Sequence, residues 1–255
     1  IDGVQDNFIT NANCGRYGCA TINELGQPIG AFWGYKTLGF FRDAADVTAS
    51  PKQDGAAPGR IKFADVNGDG KITQDDKAII GSPHPNWTGG LDFGYRYGNF
   101  DLASTVFGSF GNKIFDRQME FYVFRNFSTN VRKDLLTDSW TPSNLDAKYP
   151  RLDNSDNYSH AISDFYVKDG SYVRMRNIQL GYNLPQSMAR WTSAARVYLQ
   201  AENLFTITGY DGLDPVLPAI NTNGAAGDIR DQFRGIDQGS YPSSRTFSIG
   251  VTTSF

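Results

Sequence analysis

The last ten residues, Thr246-Phe247-Ser248-Ile249-Gly250-Val251-Thr252-Thr253-Ser254-Phe255, alternate between two kinds of side chain. In an extended chain successive side chains point to opposite faces. Phe247, Ile249, Val251, Thr253 and Phe255 therefore share one face, and Thr246, Ser248, Gly250, Thr252 and Ser254 the other. Such a strand suits a membrane barrel, with lipid outside and a polar lumen, and also a soluble sandwich with one wet face.

The same period recurs upstream. Segment 195–208 sets Val197, Leu199, Ala201, Phe205 and Ile207 against Arg196, Tyr198, Gln200, Glu202 and Thr206. Segment 177–184 sets Ile178, Leu180, Tyr182 and Leu184 against Asn177, Gln179, Gly181 and Asn183. Segments 100–111 and 87–97 alternate likewise, and 28–42, with Phe32, Trp33, Tyr35, Phe40 and Phe41, is a weaker sixth strand. Aromatics gather near strand ends, where a membrane barrel places its interfacial girdles. Gly98-Asn99 reads as a tight turn and 184–194 as a modest connection, whereas 43–86, 113–170 and 209–243 are long. Short turns on one side and long loops on the other are what outer-membrane barrels show. With Phe255 at the periplasmic end, six crossings put the three long loops outside and residues 1–27 on the periplasmic side. Six strands cannot close a membrane barrel, and an open edge facing lipid leaves backbone groups unsatisfied. Further strands must complete the wall.

Composition agrees with an all-β chain. The 255 residues include 27 Gly, 18 Phe, 13 Tyr and 4 Trp, while Glu occurs only at 24, 120 and 202. The net charge of −3 lacks the basic excess of a nucleic-acid binder. No run of eighteen apolar residues is present to make a transmembrane helix. Cys14 and Cys19 would form a small disulfide loop in an oxidising compartment; free thiols or half of a metal site are the alternatives.

Several phrases resemble the C-terminal part of SusC/RagA-type TonB-dependent transporters. They are Gly26-Gln27-Pro28-Ile29-Gly30 with Phe32-Trp33-Gly34-Tyr35, Phe63-Ala64-Asp65-Val66-Asn67-Gly68-Asp69-Gly70-Lys71-Ile72, and Ile80-Gly81-Ser82-Pro83. Asp169-Gly170-Ser171-Tyr172-Val173-Arg174 and Ala201-Glu202-Asn203-Leu204-Phe205-Thr206-Ile207-Thr208 follow in the same order. The resemblance implies an integral outer-membrane protein, a fragment of an antiparallel barrel of about 22 strands with a plugged lumen. The chain would supply about the last six strands and their extracellular loops. It also implies TonB-energised import of oligosaccharides or peptides beneath a SusD-like lipoprotein. A C-terminal aromatic such as Phe255 resembles the assembly signal of outer-membrane barrels. The alternative is a calcium-stiffened surface or adhesion module built as a soluble β-sandwich.

Residues 65–76 fit an EF-hand-type calcium loop. Asp65, Asn67 and Asp69 take positions one, three and five, the Lys71 carbonyl position seven and Asp76 position twelve, with Gly70 at the sharp turn. Asp replaces the usual Glu at position twelve, as in dockerin-type loops. The rival reading is an Asx-rich turn held by its own side chains. Enzyme chemistry has little support: His84 and His160 form no metal pair, and neither a Gly-x-Ser-x-Gly elbow nor a phosphate loop occurs. Trp140 with Pro142, and Tyr149 with Pro150, are candidate sugar-stacking platforms or ordinary loop packing.

Overall fold

In a computed structural model the described residues are 8–10, 14–15, 18–124, 130–188, 192–217 and 234–254. They form two compact units, each assembled from separate stretches of chain. A sheet unit takes Pro85–Asn112, Asp169–Val216 and Ser240–Phe255; a loop unit takes Ile1–His84, Lys113–Lys168 and Leu217–Gly239.

The sheet unit holds one antiparallel sheet, in the order Thr246–Ser254, Ala194–Glu202, Tyr172–Asn183, Phe100–Phe110, Trp87–Tyr97. Gly98, at φ +56°, turns the chain between the last two strands. The expected strand 195–208 is broken in two. Asn203 takes φ 51°, and Thr206–Thr208 resumes pairing with the strand Tyr172–Asn183, opposite Tyr172 to Arg174. The central strand also carries a bulge: the register with Phe100–Phe110 shifts at Thr105/Val106, leaving Arg176 as the extra residue. Its carbonyl accepts the Asn203 N–H at 3.1 Å, so the two irregularities satisfy each other.

The weaker strand expected over 28–42 is not part of this sheet. Ala31–Gly34 pairs instead with Thr21–Glu24 and Ala78–Gly81, and Thr37–Phe40 with Ile61–Phe63, all inside the loop unit. The physical reason is visible at Ala31 and Phe32. These consecutive residues point to opposite faces, yet both are fully buried, which a strand between lipid and lumen does not allow. Gly34 confirms the close packing, since a Cβ there would lie 2.5 Å from the Ile162 carbonyl oxygen. The expectation that a membrane crossing separates residues 1–27 from the long loops is therefore overturned. Thr21–Glu24 and the loop segments share one unit.

That unit has its own hydrophobic core, drawn from segments far apart in sequence. Phe32, Ile61, Phe63, Phe115, Met119, Leu135, Tyr149, Ile162, Tyr166 and Ile236 form its buried cluster. Phe115 stacks on Tyr166 at 5.1 Å and tilts against Phe32 at 5.8 Å. Burying each such aromatic contributes about 1.5–3 kcal/mol. Lys113–Asp116 runs parallel to Ile236–Asp237, closing 113–168 onto 234–239. Polar ties add register: Asp164 accepts from the Thr37 N–H at 3.0 Å and its hydroxyl at 2.6 Å. Arg60 reaches Asp153 at 2.9 Å. Cys19 is disulfide-bonded, and its partner in the backbone register is Cys14.

Gly59 joins two of these segments. Its carbonyl accepts the Arg151 N–H at 2.8 Å, and it holds φ +80°. A Cβ there would lie 2.3 Å from Trp140 Cε3. Gly59→Ala should therefore strain the backbone and expel the indole, costing about 1–3 kcal/mol of local stability. Hydrogen exchange at the Arg151 amide should accelerate by about tenfold or more; unchanged protection would contradict this packing.

Candidate functional site

The strand registers sort the sheet into two chemically distinct faces. On one, a row runs straight across five strands through Tyr95, Leu102, Leu180, Leu199 and Ile249. The next row is Phe93, Ser104, Ile178, Ala201 and Phe247. The large apolar side chains of these rows stand open to the surroundings, Leu199 at 56%, Phe247 at 70% and Ile249 at 74% exposure, while Leu102, Ser104, Ile178 and Ala201 are half-buried between their neighbours. Among the described residues no second sheet covers them, as a sandwich would require. An apolar face this continuous calls for an apolar partner.

Aromatics bound the face at both ends. Trp87 packs on Phe110 at 5.4 Å at one end, and Phe100 on Tyr182 at 4.8 Å, beside Tyr97, at the other. From Trp87 to Tyr97 there are ten residue steps. At about 3.3 Å per step and a tilt of about 40°, they span about 25 Å, the height of a barrel's apolar band.

The other face is polar and internally bonded. Arg196 reaches across Gly181 to Asp101 on the strand beyond, Nε to Oδ1 at 3.0 Å, and donates to Gln179 at 2.8 Å. Gln179 bonds Gln200 at 3.1 Å, Gln200 bonds Glu202 at 2.8 Å, and Asn183 donates to Asp101 at 3.0 Å. Gly181 is what admits the guanidinium, since a Cβ there would sit 2.3 Å from an Arg196 nitrogen. Alternation placed these residues on one face; which of them meet depends on a register that sequence does not print. Sequence reading also missed the clamp at the end of the sheet. There Arg174 and Asp214 are both buried and paired at 2.5 Å. Asp214 also accepts the Ser243 N–H at 3.0 Å and the Val216 N–H at 2.8 Å, tying the two ends of 209–243 to the strand.

In the loop expected to bind metal, Gly68 and Gly70 hold φ +77° and +81°. The two Asp65 oxygens accept the Gly68 and Gly70 N–H groups at 2.7 and 2.8 Å. Asn67 and Asp69 accept from Asp69 and Lys71, at 2.9 and 2.8 Å. Asp76 is buried and accepts from Thr73 at 2.7 Å and Val66 at 2.8 Å. The Thr73 N–H, against burial and helped by Val66 and Asn67, holds its carboxyl below the usual range. Among the described residues, no three acidic, histidine or cysteine side chains converge as a ready metal cluster. Trp140 and Tyr149 are buried, so neither offers a ring face for a sugar. Phe255 lies outside the described residues.

The chain has relatives along nearly its whole length. TonB-dependent receptor P3 of Formosa agariphila is 35% identical over 238 residues, which is 92% of this chain and 23% of that protein. TonB-dependent receptor P26 of the same organism is 30% identical over 257 residues, 100% of this chain and 25% of that one. TonB-dependent receptor SusC of Bacteroides thetaiotaomicron is 28% identical over 221 residues. By sequence and fold, this chain is a segment of a SusC/RagA-type TonB-dependent receptor. The structure of the RagAB peptide importer in its "open-open" state matches with a TM-score of 0.70 at 23% identity, over 98% of this chain and 24% of that one. No protein-family profile matches. The receptor segment thus spans about a quarter of the relatives it matches, and its sheet is a section of an antiparallel barrel wall.

Replacing Phe247, Ile249 and Val251 together by Asp places three acids on the apolar face. At about 1–2 kcal/mol each, they should cut the folded receptor in membrane fractions by about tenfold or more. Ser248→Asp, on the polar face, should assemble normally. Equal assembly of both variants would exclude lipid from that face.

Proposed function

We propose that this segment forms part of the wall and outer surface of an outer-membrane importer that takes up oligosaccharides or peptides. TonB energises it, and a SusD-like surface lipoprotein works with it. The observation that carries the reading is the two-faced sheet: one side a 25 Å-scale apolar band between aromatic ends, the other a bonded polar lining suited to a water-filled or plugged lumen. The edge strands Trp87–Tyr97 and Thr246–Ser254 each have one side unpaired among the described residues. In hydrocarbon those backbone groups need further strands, which a protein four times longer would supply along with a plug. The reading is that of a transporter without catalytic chemistry of its own.

Chain connectivity supports one orientation. At one end of the sheet the chain turns at 98–99, while at the other the strands that end at Phe110 and Thr208 begin the long connections 113–170 and 209–243. Long connections lie outside in such barrels. In this reading the connections 113–170 and 209–243 are extracellular.

In cells, deletion of the receptor should abolish growth on some members of a panel of glycans and peptides supplied as sole carbon source. Restoring the receptor should rescue growth only where TonB is present. Rescue without TonB would sink the energised-import reading.

A calcium ion at 65–76 would have a structural role, held by Asp65, Asn67 and Asp69 side chains and the Lys71 carbonyl, with Asp76 closing the loop. The fit rests on the spacing and on the two left-handed glycines, which supply the turns such a loop needs. Calcium in place of chelator should slow amide exchange across 43–86, and Asp65→Ala with Asp69→Ala should erase the difference. Identical exchange with and without calcium in the unaltered receptor would remove the ion from the account.

A further inference from the structure

Glycine suits a strand poorly, because it brings no side chain to pack and loses the most chain entropy on folding. A sheet tolerates it where a large neighbour lies over the bare backbone. The sheet unit obeys this at nearly every glycine. On the apolar face a Cβ at Gly89 would meet the Trp87 indole at 2.6 Å, and one at Gly108 the Phe110 ring at 2.8 Å. On the polar face Arg196 covers Gly181, and the Tyr198 ring lies on Gly250, its direct cross-strand partner, where a Cβ would meet it at 2.3 Å. Gly90 has the edge of Phe107 at 3.9 Å. Gly94 is the exception: among the described residues nothing stands within 4 Å of its Cβ position.

Gly94 lies on the polar face in register with Ala103, itself exposed, whose methyl group is too short to cover it. Asp92 and Arg96 flank Gly94 on the same strand and face. Asp92 accepts the Thr105 hydroxyl at 2.6 Å, while Arg96 is exposed. The result is a dent with Gly94 and Ala103 as its floor and a guanidinium at its rim.

The inner neighbour is small, so a cover has to come from beyond the free edge of Trp87–Tyr97 or from the lumen. The edge offers the closer source. In hydrocarbon it needs a further strand, and the residue directly opposite Gly94 would hold its Cβ about 4.5–5.5 Å away on the same face. Charge narrows the choice. A second guanidinium would be repelled by Arg96, whereas an aromatic ring would be attracted to it. The sheet already contains that arrangement, with Tyr198 on Gly250 and the Arg196 guanidinium 5.2 Å from the ring centroid.

We propose that the dent at Gly94 receives an aromatic side chain from the barrel strand that adjoins Trp87–Tyr97. The ring lies on Gly94 and Ala103, and the Arg96 guanidinium stacks against it. The contact fixes the register between this segment and the rest of the wall, since a slip of one residue would send the ring to the lipid face. It rests on the barrel-wall fold and not on any cargo.

The test uses the full-length receptor in outer-membrane fractions, with the folded barrel scored by its heat-modifiable migration on gels. Gly94→Cys is combined with single cysteines along the adjoining strand and along the plug. A disulfide should form with a wall residue that is Phe, Tyr or Trp in the unaltered receptor, because the paired Cβ atoms lie near bridging distance. Gly94→Trp should lower the folded receptor about fivefold or more through overpacking. Replacing the identified aromatic by Gly in that variant should restore it. A disulfide to a small or charged wall residue, a disulfide to the plug, or none at all would overturn the contact. So would full assembly of Gly94→Trp, or failure of the exchange to restore it. Uptake is not part of the readout, so failure of the import reading would leave this contact standing.

Discussion

A backbone amide in hydrocarbon finds no water, so every N–H and C=O that crosses the bilayer must be paired by another strand. The rest of this molecule follows from that constraint. It fixes the antiparallel sheet as the only structure these segments can adopt across lipid, and it fixes the register. Because side chains alternate faces, a slip by one residue would send Leu102, Leu180, Leu199 and Ile249 to the polar side and Asp101 and Arg196 into lipid. The row through Tyr95, Leu102, Leu180, Leu199 and Ile249 is thus the register made visible. The polar network on the reverse face depends on the same alignment, since Arg196 meets Asp101 only when Gly181 lies between them.

Where the constraint is relaxed, the chain becomes irregular. The bulge at Arg176, the left-handed Asn203 and the buried Arg174–Asp214 pair all lie toward the end of the sheet that leads into long connections. Arg176 places its guanidinium 4.3 Å over the Phe107 ring, and Arg174 has three partners in Thr206, Ser243 and Asp214. A buried ion pair is costly unless its remaining hydrogen-bonding capacity is used. Here Asp214 also takes two backbone N–H groups, so the pair anchors the chain on both sides of 209–243.

The connections themselves are not loose. They are held as a soluble domain is, by burying apolar surface. Phe32, Phe63, Phe115, Tyr149 and Tyr166 come from stretches spread over more than a hundred residues of sequence, and they share one core. Asp76 and Asp134 strengthen the unit as carboxylates. The Thr73 N–H holds Asp76, and the Arg132 guanidinium holds Asp134, below the usual carboxylate range of 3.8. A depressed folded-state value means that their contribution is complete above about pH 4 and fades as the pH falls through the folded values.

By itself the sequence determined the strands that lie between lipid and lumen. A period of two with unlike faces survives any detail of packing, so 87–97, 100–110 and 246–254 were legible from alternation alone, and the inequality of the connections from the spacing between them. The EF-hand-like spacing at 65–76 was legible too, though not how its side chains are engaged. Segment 28–42 was misread because its aromatics mimic a membrane strand; only the tertiary structure shows Ala31 and Phe32 buried on both faces. The break at Asn203, the Arg196–Asp101 bridge and the Arg174–Asp214 clamp were likewise decided in three dimensions. The physical reason is range. Alternation is a local property, written into neighbouring residues, whereas a shared core, a cross-strand ion pair and a bulge depend on partners that the linear order does not name.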